Sequence, residues 1–325
     1  MKVIIKAIEY FLPPKTENGA CLKAENPDWR IEDIEEKTGI KIRHISDTHQ
    51  TATDMAELAA KKLIPSKIDA EEVDFLILVT QSPDYLLPTS ACLLQDRLKL
   101  KKSCLAFDVN LGCSGFVYGL AIAGSLISSG LVNKGLLICS DTYTKYIDKH
   151  DRTCRPLFSD GAAATLLTSS NKDHIGPFEM GSDGSGFDKL IVESSGARGL
   201  VKQSYEQKLH MEGSSVFMFT MDMVPKCVNA LLKKAEKSLE EIDLFIFHQA
   251  SKLVIDSIIR RLDLPEEKVF INYQNIGNTV SATIPIALSD AAKEKKLKAG
   301  DQVMLVGFGV GYSWGGCIIQ WDPET

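Results

Sequence analysis

The chain has 325 residues, 44% of them hydrophobic and 25% charged, the proportions of a soluble globular protein with room for one large core or two ordinary domains. A formal net charge of −6 argues against a general nucleic-acid binder. The eight cysteines (21, 92, 104, 113, 139, 154, 227 and 317) form no Cys-x-x-Cys pair and show no metal-ligand spacing, so they read as reduced thiols of a cytoplasmic protein rather than a disulfide frame.

In chain order, residues 1–8 are too short an apolar run for a signal sequence and are interrupted by Lys6, so they predict a strand. No segment approaches a membrane span on this reading. Residues 72–82 show an acidic approach, a continuous apolar run and a polar exit. The same pattern returns at 241–251. Each copy is followed by a helical stretch, a strand, a Gly-containing turn and a helix of small residues; the turn carries Cys113 in the first half and Asn278 in the second. The closing segments 127–141 and 291–308 also match. Apolar strands separated by helices predict central strands of α/β sheets covered on both faces. Two halves, 1–170 and 171–325, therefore predict two similar sheets packed through shared helices. With no Pro/Gly/Ser linker between them, they should form one rigid unit.

The helix after Cys113 has Gly115, Gly119, Ala121, Ala123, Gly124 and Ser125 on nearly every face, as expected of a helix buried between layers. Cys113 then sits where unpaired backbone N–H groups and the positive end of a helix dipole favour a thiolate. His248 closes the apolar run 244–247, and Asn278 lies in Gly277-Asn278-Thr279. Taken singly, these are most simply a buried small hydrophobe, a structural histidine and a turn residue. All three, however, fall at equivalent exits of two repeated halves, and the carboxyl ends of strands are where open α/β sheets build their sites. Together they make a nucleophile with two polar groups to serve it. Cys104, Cys139 and Cys317 lie in apolar strand-like runs and keep the structural reading.

Gly307-Phe308-Gly309-Val310-Gly311 is not a dinucleotide fingerprint, because a predicted strand at 315–321 follows it instead of a helix. Its glycines allow close backbone approach or supply N–H groups to an oxyanion. Asp160-Gly161-Ala162 predicts a tight strand entry. The charged runs 233–241 and 293–298 predict solvated helix faces.

Over essentially its whole length the sequence resembles the thiolase superfamily, and within it the β-ketoacyl-acyl-carrier-protein synthase III group. The resemblance rests on Lys37-Thr38-Gly39-Ile40 with Arg43-His44-Ile45, on Asp108-Val109-Asn110-Leu111-Gly112-Cys113-Ser114-Gly115-Phe116, and on Asp151-Arg152-Thr153. It continues through Phe158-Ser159-Asp160-Gly161-Ala162, His248-Gln249-Ala250, Gly277-Asn278-Thr279 and the segment from Gly307 to Gly315. It implies an α/β fold, a thiolase-like five-layered αβαβα sandwich, usually as a homodimer. It also implies a decarboxylating Claisen condensation. Cys113 takes an acyl group from acyl-coenzyme A, and malonyl-acyl carrier protein loses carbon dioxide so that its enolate can attack the acyl-enzyme. His248 and Asn278 hold the malonyl thioester oxygen. The N–H groups of Cys113 and of Val310 stabilise the tetrahedral intermediate, and Phe308 shields the site. No metal or bound cofactor is implied; coenzyme A thioester and acyl carrier protein are substrates.

The resemblance further places Lys37, Arg152, Met211 and Gly213 on coenzyme A, and Leu87 at the end of the acyl pocket, reaching across a dimer. Lys252, Arg260 and Arg261 are placed against carrier protein. There are departures. Asp33 stands where the family has a tryptophan on the adenine, with Trp29 nearby but out of register, and Leu253 stands where an arginine meets the carrier. Two other functions are weighed: acyl transfer from Cys113 to an oxygen or nitrogen without condensation, and a non-catalytic partner subunit of a ketosynthase. Retention of Cys113, His248 and Asn278 argues against both. No nucleic-acid or membrane partner is expected.

Overall fold

In the computed structural model, which describes residues 1–202 and 207–322, two β-sheets enclose a layer of helices and carry further helices on their outer faces. The first sheet runs Val3–Phe11, Gly161–Ser169, Lys134–Asp141, Phe75–Val79, Leu105–Val109 in spatial order; the last three strands are parallel and the other pairings antiparallel. The second sheet runs Leu244–Phe247, Gln302–Gly309, Ser313–Gln320, Ile175–Ser182. Its first two strands are parallel and the rest antiparallel. Apart from the two-stranded pairs Thr16–Asn18 with Ile42–His44 and Leu190–Val192 with Leu209–Met211, strands up to residue 169 build the first sheet and strands from 175 onward build the second.

The central layer holds the helices Gly115–Ser128 and Thr283–Lys293. The first touches strands of both sheets, and its Gly119 lies so close to Leu137 that an added Cβ would come within 2.5 Å of it. One apolar cluster runs through this layer from Val3 and Phe75 to Leu305 and Ile319. A second fills the space between the first sheet and its outer helices, and a third lies between the second sheet and Gly213–Ala235 with Lys252–Leu262. The result is the five-layered αβαβα sandwich implied by the resemblance.

Three sequence expectations are corrected. The strand expected between Leu244–Phe247 and the Asn278 turn is reduced to a single bridge, Phe245 to Val269. The Gln249 side chain takes over its hydrogen bonds: Nε2 donates to the carbonyls of Phe247 and Phe270 (2.8 and 3.3 Å), and Oε1 accepts from Asn272 N–H at 3.0 Å. The charged runs are helix ends followed by loops. Gly213–Ala235 stops where Glu236 turns left-handed and Thr283–Lys293 stops just before Lys295 does so, with lysines in both last turns favoured by the dipole. Finally, Gly213–Ala235 is long and apolar enough to cross a membrane by length and composition. Here Val224, Cys227, Val228 and Leu231 are buried against the second sheet, while Asp222 and Lys226 pair on the outer face at 2.7 Å.

Candidate active site

Cys113, His248 and Asn278 line one cavity of about 320 Å³, with Phe308 and Gly309 beside them. Two of the three arrive from the carboxyl end of a strand: Cys113 follows Leu105–Val109, and His248 follows Leu244–Phe247 directly, whereas Asn278, expected at an equivalent strand exit, follows the short helix Tyr273–Ile276. Asn278 is anchored to the other half of the molecule. Its N–H donates to Leu157 O at 3.0 Å, and its carbonyl accepts from Ser159 N–H at 2.9 Å. Arg43 braces that seam from below, donating to Phe158 O at 3.0 Å and pairing with Glu17, while Ser159 Oγ accepts from His44 N–H at 2.6 Å. The Arg43-His44 and Phe158-Ser159 motifs therefore hold the loop carrying Asn278.

The amide of Asn278 is oriented by its own backbone. Oδ1 accepts from Val280 N–H at 2.9 Å, which turns Nδ2 toward His248 Nε2, 3.4 Å away. The far ring nitrogen, Nδ1, lies 2.7 Å from Thr283 Oγ1, and Phe308 meets the imidazole edge-on with ring centres 5.6 Å apart. Burial holds the imidazole pKa down to about 3, so the ring is neutral at working pH.

The glycine-rich segment wraps the sulfur. A Cβ on Gly307 would sit 2.6 Å from the Cys113 carbonyl oxygen, and one on Gly309, whose φ is +154°, would sit 2.8 Å from Sγ. Only glycine fits both close approach and left-handed backbone at Gly309. The N–H groups of Val310 and of Cys113 itself are directed at the sulfur and favour its anion. Burial outweighs them and pushes the thiol up to about 12. The expectation that the helix terminus yields a resting thiolate is corrected accordingly. Cys113 stands two residues before Gly115–Ser128 in a dry pocket, and desolvation dominates.

Sequence reasoning missed two buried residues next to these groups. Thr283 opens the second central helix. Asp141 closes Lys134–Asp141 and accepts from Gln81 N–H (2.8 Å), Ser281 N–H (3.3 Å) and Ser281 Oγ, tying the first sheet to the loop after Asn278. Burial pushes its carboxyl up to about 7. A carboxylate just past the apolar run 135–139 was the available signal for Asp141. Thr283, in Ala282-Thr283-Ile284, gave none.

Of the other residues singled out, Lys37, Met211 and Gly213 line the cavity. Arg152 is exposed just before Thr153, which does line it. Lys252 lies outside it and pairs with Asp256, although Ser251, Leu253 and Val254 on either side are lining residues. Arg260 and Arg261 border a separate surface depression with Met218, Met221 and Asp222. Trp29 is buried with Leu22, Ile31 and Ile34 and presents no face to an adenine, and Asp33 pairs with Arg30 at 3.0 Å. Leu87 is 83% exposed and does not line its own chain's cavity. Among the described residues, no group of three or more His, Cys, Asp or Glu side chains is placed to hold a metal ion.

Two family profiles match the chain: "3-Oxoacyl-[acyl-carrier-protein (ACP)] synthase III" over residues 107–184, and the C-terminal part of the same family over 232–321. A β-ketoacyl-[acyl-carrier-protein] synthase III of Clostridium perfringens is 38% identical over 291 residues, covering 88% of this chain and 90% of that protein. One from Syntrophomonas wolfei is 38% identical over 333 aligned positions, covering 100% and 99%. A crystal structure of a 3-oxoacyl-(acyl-carrier-protein) synthase III superposes with a TM-score of 0.94 at 39% identity, covering 99% of this chain and 100% of that one. The chain belongs to the 3-oxoacyl-[acyl-carrier-protein] synthase III family.

Proposed function

We propose that this protein joins a Cys113-bound acyl group, received from acyl-coenzyme A, to malonyl-acyl carrier protein with loss of carbon dioxide, giving a β-ketoacyl thioester at the start of fatty-acid synthesis. One observation carries the reading: a buried thiol shares a cavity with two nitrogen atoms, His248 Nε2 and Asn278 Nδ2, 3.4 Å apart. Losing carbon dioxide puts negative charge on the thioester oxygen, and two preorganised donors converging there lower that barrier. In acyl transfer the thiol proton leaves as sulfur attacks the thioester carbonyl, and the displaced coenzyme A thiolate takes up a proton. The Val310 and Cys113 N–H groups face the reacting centre. Phe308 keeps the imidazole dry.

Lys37, Arg152, Met211 and Gly213 are the coenzyme A contacts on this reading, with Lys252, Arg260 and Arg261 the basic residues that meet an acidic carrier. Two exposed features support a homodimer. Leu105–Val109 is the edge strand of its sheet, with Leu105 39% exposed, and Tyr85, Leu86 and Leu87 present apolar surface. A dimer would bring Leu87 to the partner's site. Eight free thiols suit the cytoplasm. The test is incubation with acyl-coenzyme A and malonyl-carrier protein. Carbon dioxide and a β-keto product are expected; an acylated Cys113 without either would sink the condensing role and leave plain acyl transfer.

A further inference from the structure

The hydrogen-bond pattern around His248 leaves one atom to decide whether the imidazole joins the Asn278 amide as a donor. Asn278 Nδ2 faces His248 Nε2 because Val280 N–H occupies Oδ1. If Nε2 is bare, it accepts one of the two Asn278 Nδ2 hydrogens, and His248 itself has no hydrogen to offer substrate. If Nε2 carries hydrogen, both N–H groups converge on a third atom, the geometry an oxyanion needs. In a neutral ring, the partner at Nδ1 sets which nitrogen is protonated.

That partner is Thr283 Oγ1, 2.7 Å from Nδ1, on a side chain that is 2% exposed. The hydroxyl has one proton and two acceptors in reach, Nδ1 and the Val280 carbonyl at 3.1 Å. The contact to Nδ1 is the shorter. A carbonyl can only accept, whereas a hydroxyl can donate to Nδ1 and leave the imidazole hydrogen on Nε2. We propose that Thr283 is a positioning residue that donates to His248 Nδ1 and so keeps Nε2–H pointed at the malonyl thioester oxygen. The inference rests on the condensing role proposed above and adds to it the group that sets the tautomer.

The test has an arm that does not depend on activity. With the protein labelled at histidine nitrogen, the ¹⁵N shifts of His248 in wild type at neutral pH should show a protonated Nε2 and a bare Nδ1. The resonance is assigned by its loss in His248→Ala. A protonated Nδ1 would overturn the proposal even if the enzyme condenses. Thr283→Val keeps the shape and removes the hydroxyl. It should lower kcat for malonyl decarboxylation ten- to a hundredfold, with the rate of Cys113 acylation and the KM for malonyl-carrier protein little changed. Thr283→Ser should restore decarboxylation and the wild-type ¹⁵N pattern. Wild-type decarboxylation in Thr283→Val also overturns the proposal, as does a Ser variant as impaired as the Val one. If wild type itself releases no carbon dioxide, the condensing role fails, and the nitrogen shifts still decide the tautomer.

Discussion

Gly309 lies against the Cys113 thiol so closely that a methyl group on it would stand 2.8 Å from Cys113 Sγ and 3.0 Å from its Cβ. Its φ of +154° adds backbone strain to any replacement. Gly309→Ala should fold, since the clash is confined to the site, but push the sulfur from its attacking position. A displacement of that size costs on the order of 100-fold. Acylation of Cys113 by acyl-coenzyme A, followed by intact mass, should fall by about that factor; an unchanged rate would mean the segment has room to shift.

Cys113 is a neutral thiol at rest, its pKa pushed to about 12 by burial. Its alkylation by iodoacetamide should therefore rise about tenfold per pH unit from pH 7 to 10, without a plateau. A plateau near neutrality would show a resting thiolate. Cys113→Ala should abolish both acylation and condensation, and an acyl group found on Cys154 or Cys21 would sink the assignment.

Asn278→Asp replaces a donor with a charged acceptor facing a developing anion. Decarboxylation should become slower by an amount equivalent to roughly 3–4 kcal/mol, with Cys113 acylation largely kept. Equal loss of both half-reactions would point to displacement of the loop that pairs with Phe158.

Asp141 offers a stability test. Its carboxyl is held at about 7, above the unfolded value, so the fold binds that proton more tightly than the unfolded chain does. Its contribution is present below the unfolded value near pH 4 and is lost as pH rises through 7. Asp141→Asn removes the titration and turns a donor toward the N–H of Gln81 or Ser281, costing about 1–3 kcal/mol. Denaturant unfolding at pH 5 and pH 8 should show the variant's deficit shrinking at the higher pH. A constant deficit would mean Asp141 does not titrate in that window.

Leu87→Phe addresses chain length. If Leu87 closes the partner's acyl pocket in a homodimer, the larger ring should shift preference toward short primers, each excluded methylene being worth roughly 0.8 kcal/mol. Competition between acetyl- and longer acyl-coenzyme A donors measures it. An unchanged ratio would remove Leu87 from the pocket.

The parts of the site legible in the sequence are those marked by periodicity. Apolar runs located Phe75–Val79 and Leu244–Phe247, and their polar exits located His248; the small-residue run located Gly115–Ser128 and hence Cys113. Side chains acting through long-range hydrogen bonds left no such mark. Gln249 replaces strand bonds to Phe270, Thr283 reaches across 35 residues to His248, and Asp141 reaches 140 residues to Ser281. Local composition also placed a thiolate at a helix terminus because it cannot measure desolvation, which depends on the packing of Phe308, Val280 and Val310 around the sulfur.

The Gln249 side chain, which stands in for a missing strand, also bears on how copies of this chain can meet. In the first sheet, Leu105–Val109 ends the ladder with a free edge; in the second, the corresponding edge beside Leu244–Phe247 is occupied by the single bridge at Val269 and the Gln249 amide. Only one sheet of the two can therefore extend at that end of the molecule. Two copies joining through Leu105–Val109 about a two-fold axis would consume that edge in both partners. On the proposed homodimer, this difference between the two sheets would make association at this end self-limiting, where two open edges would invite a chain of subunits.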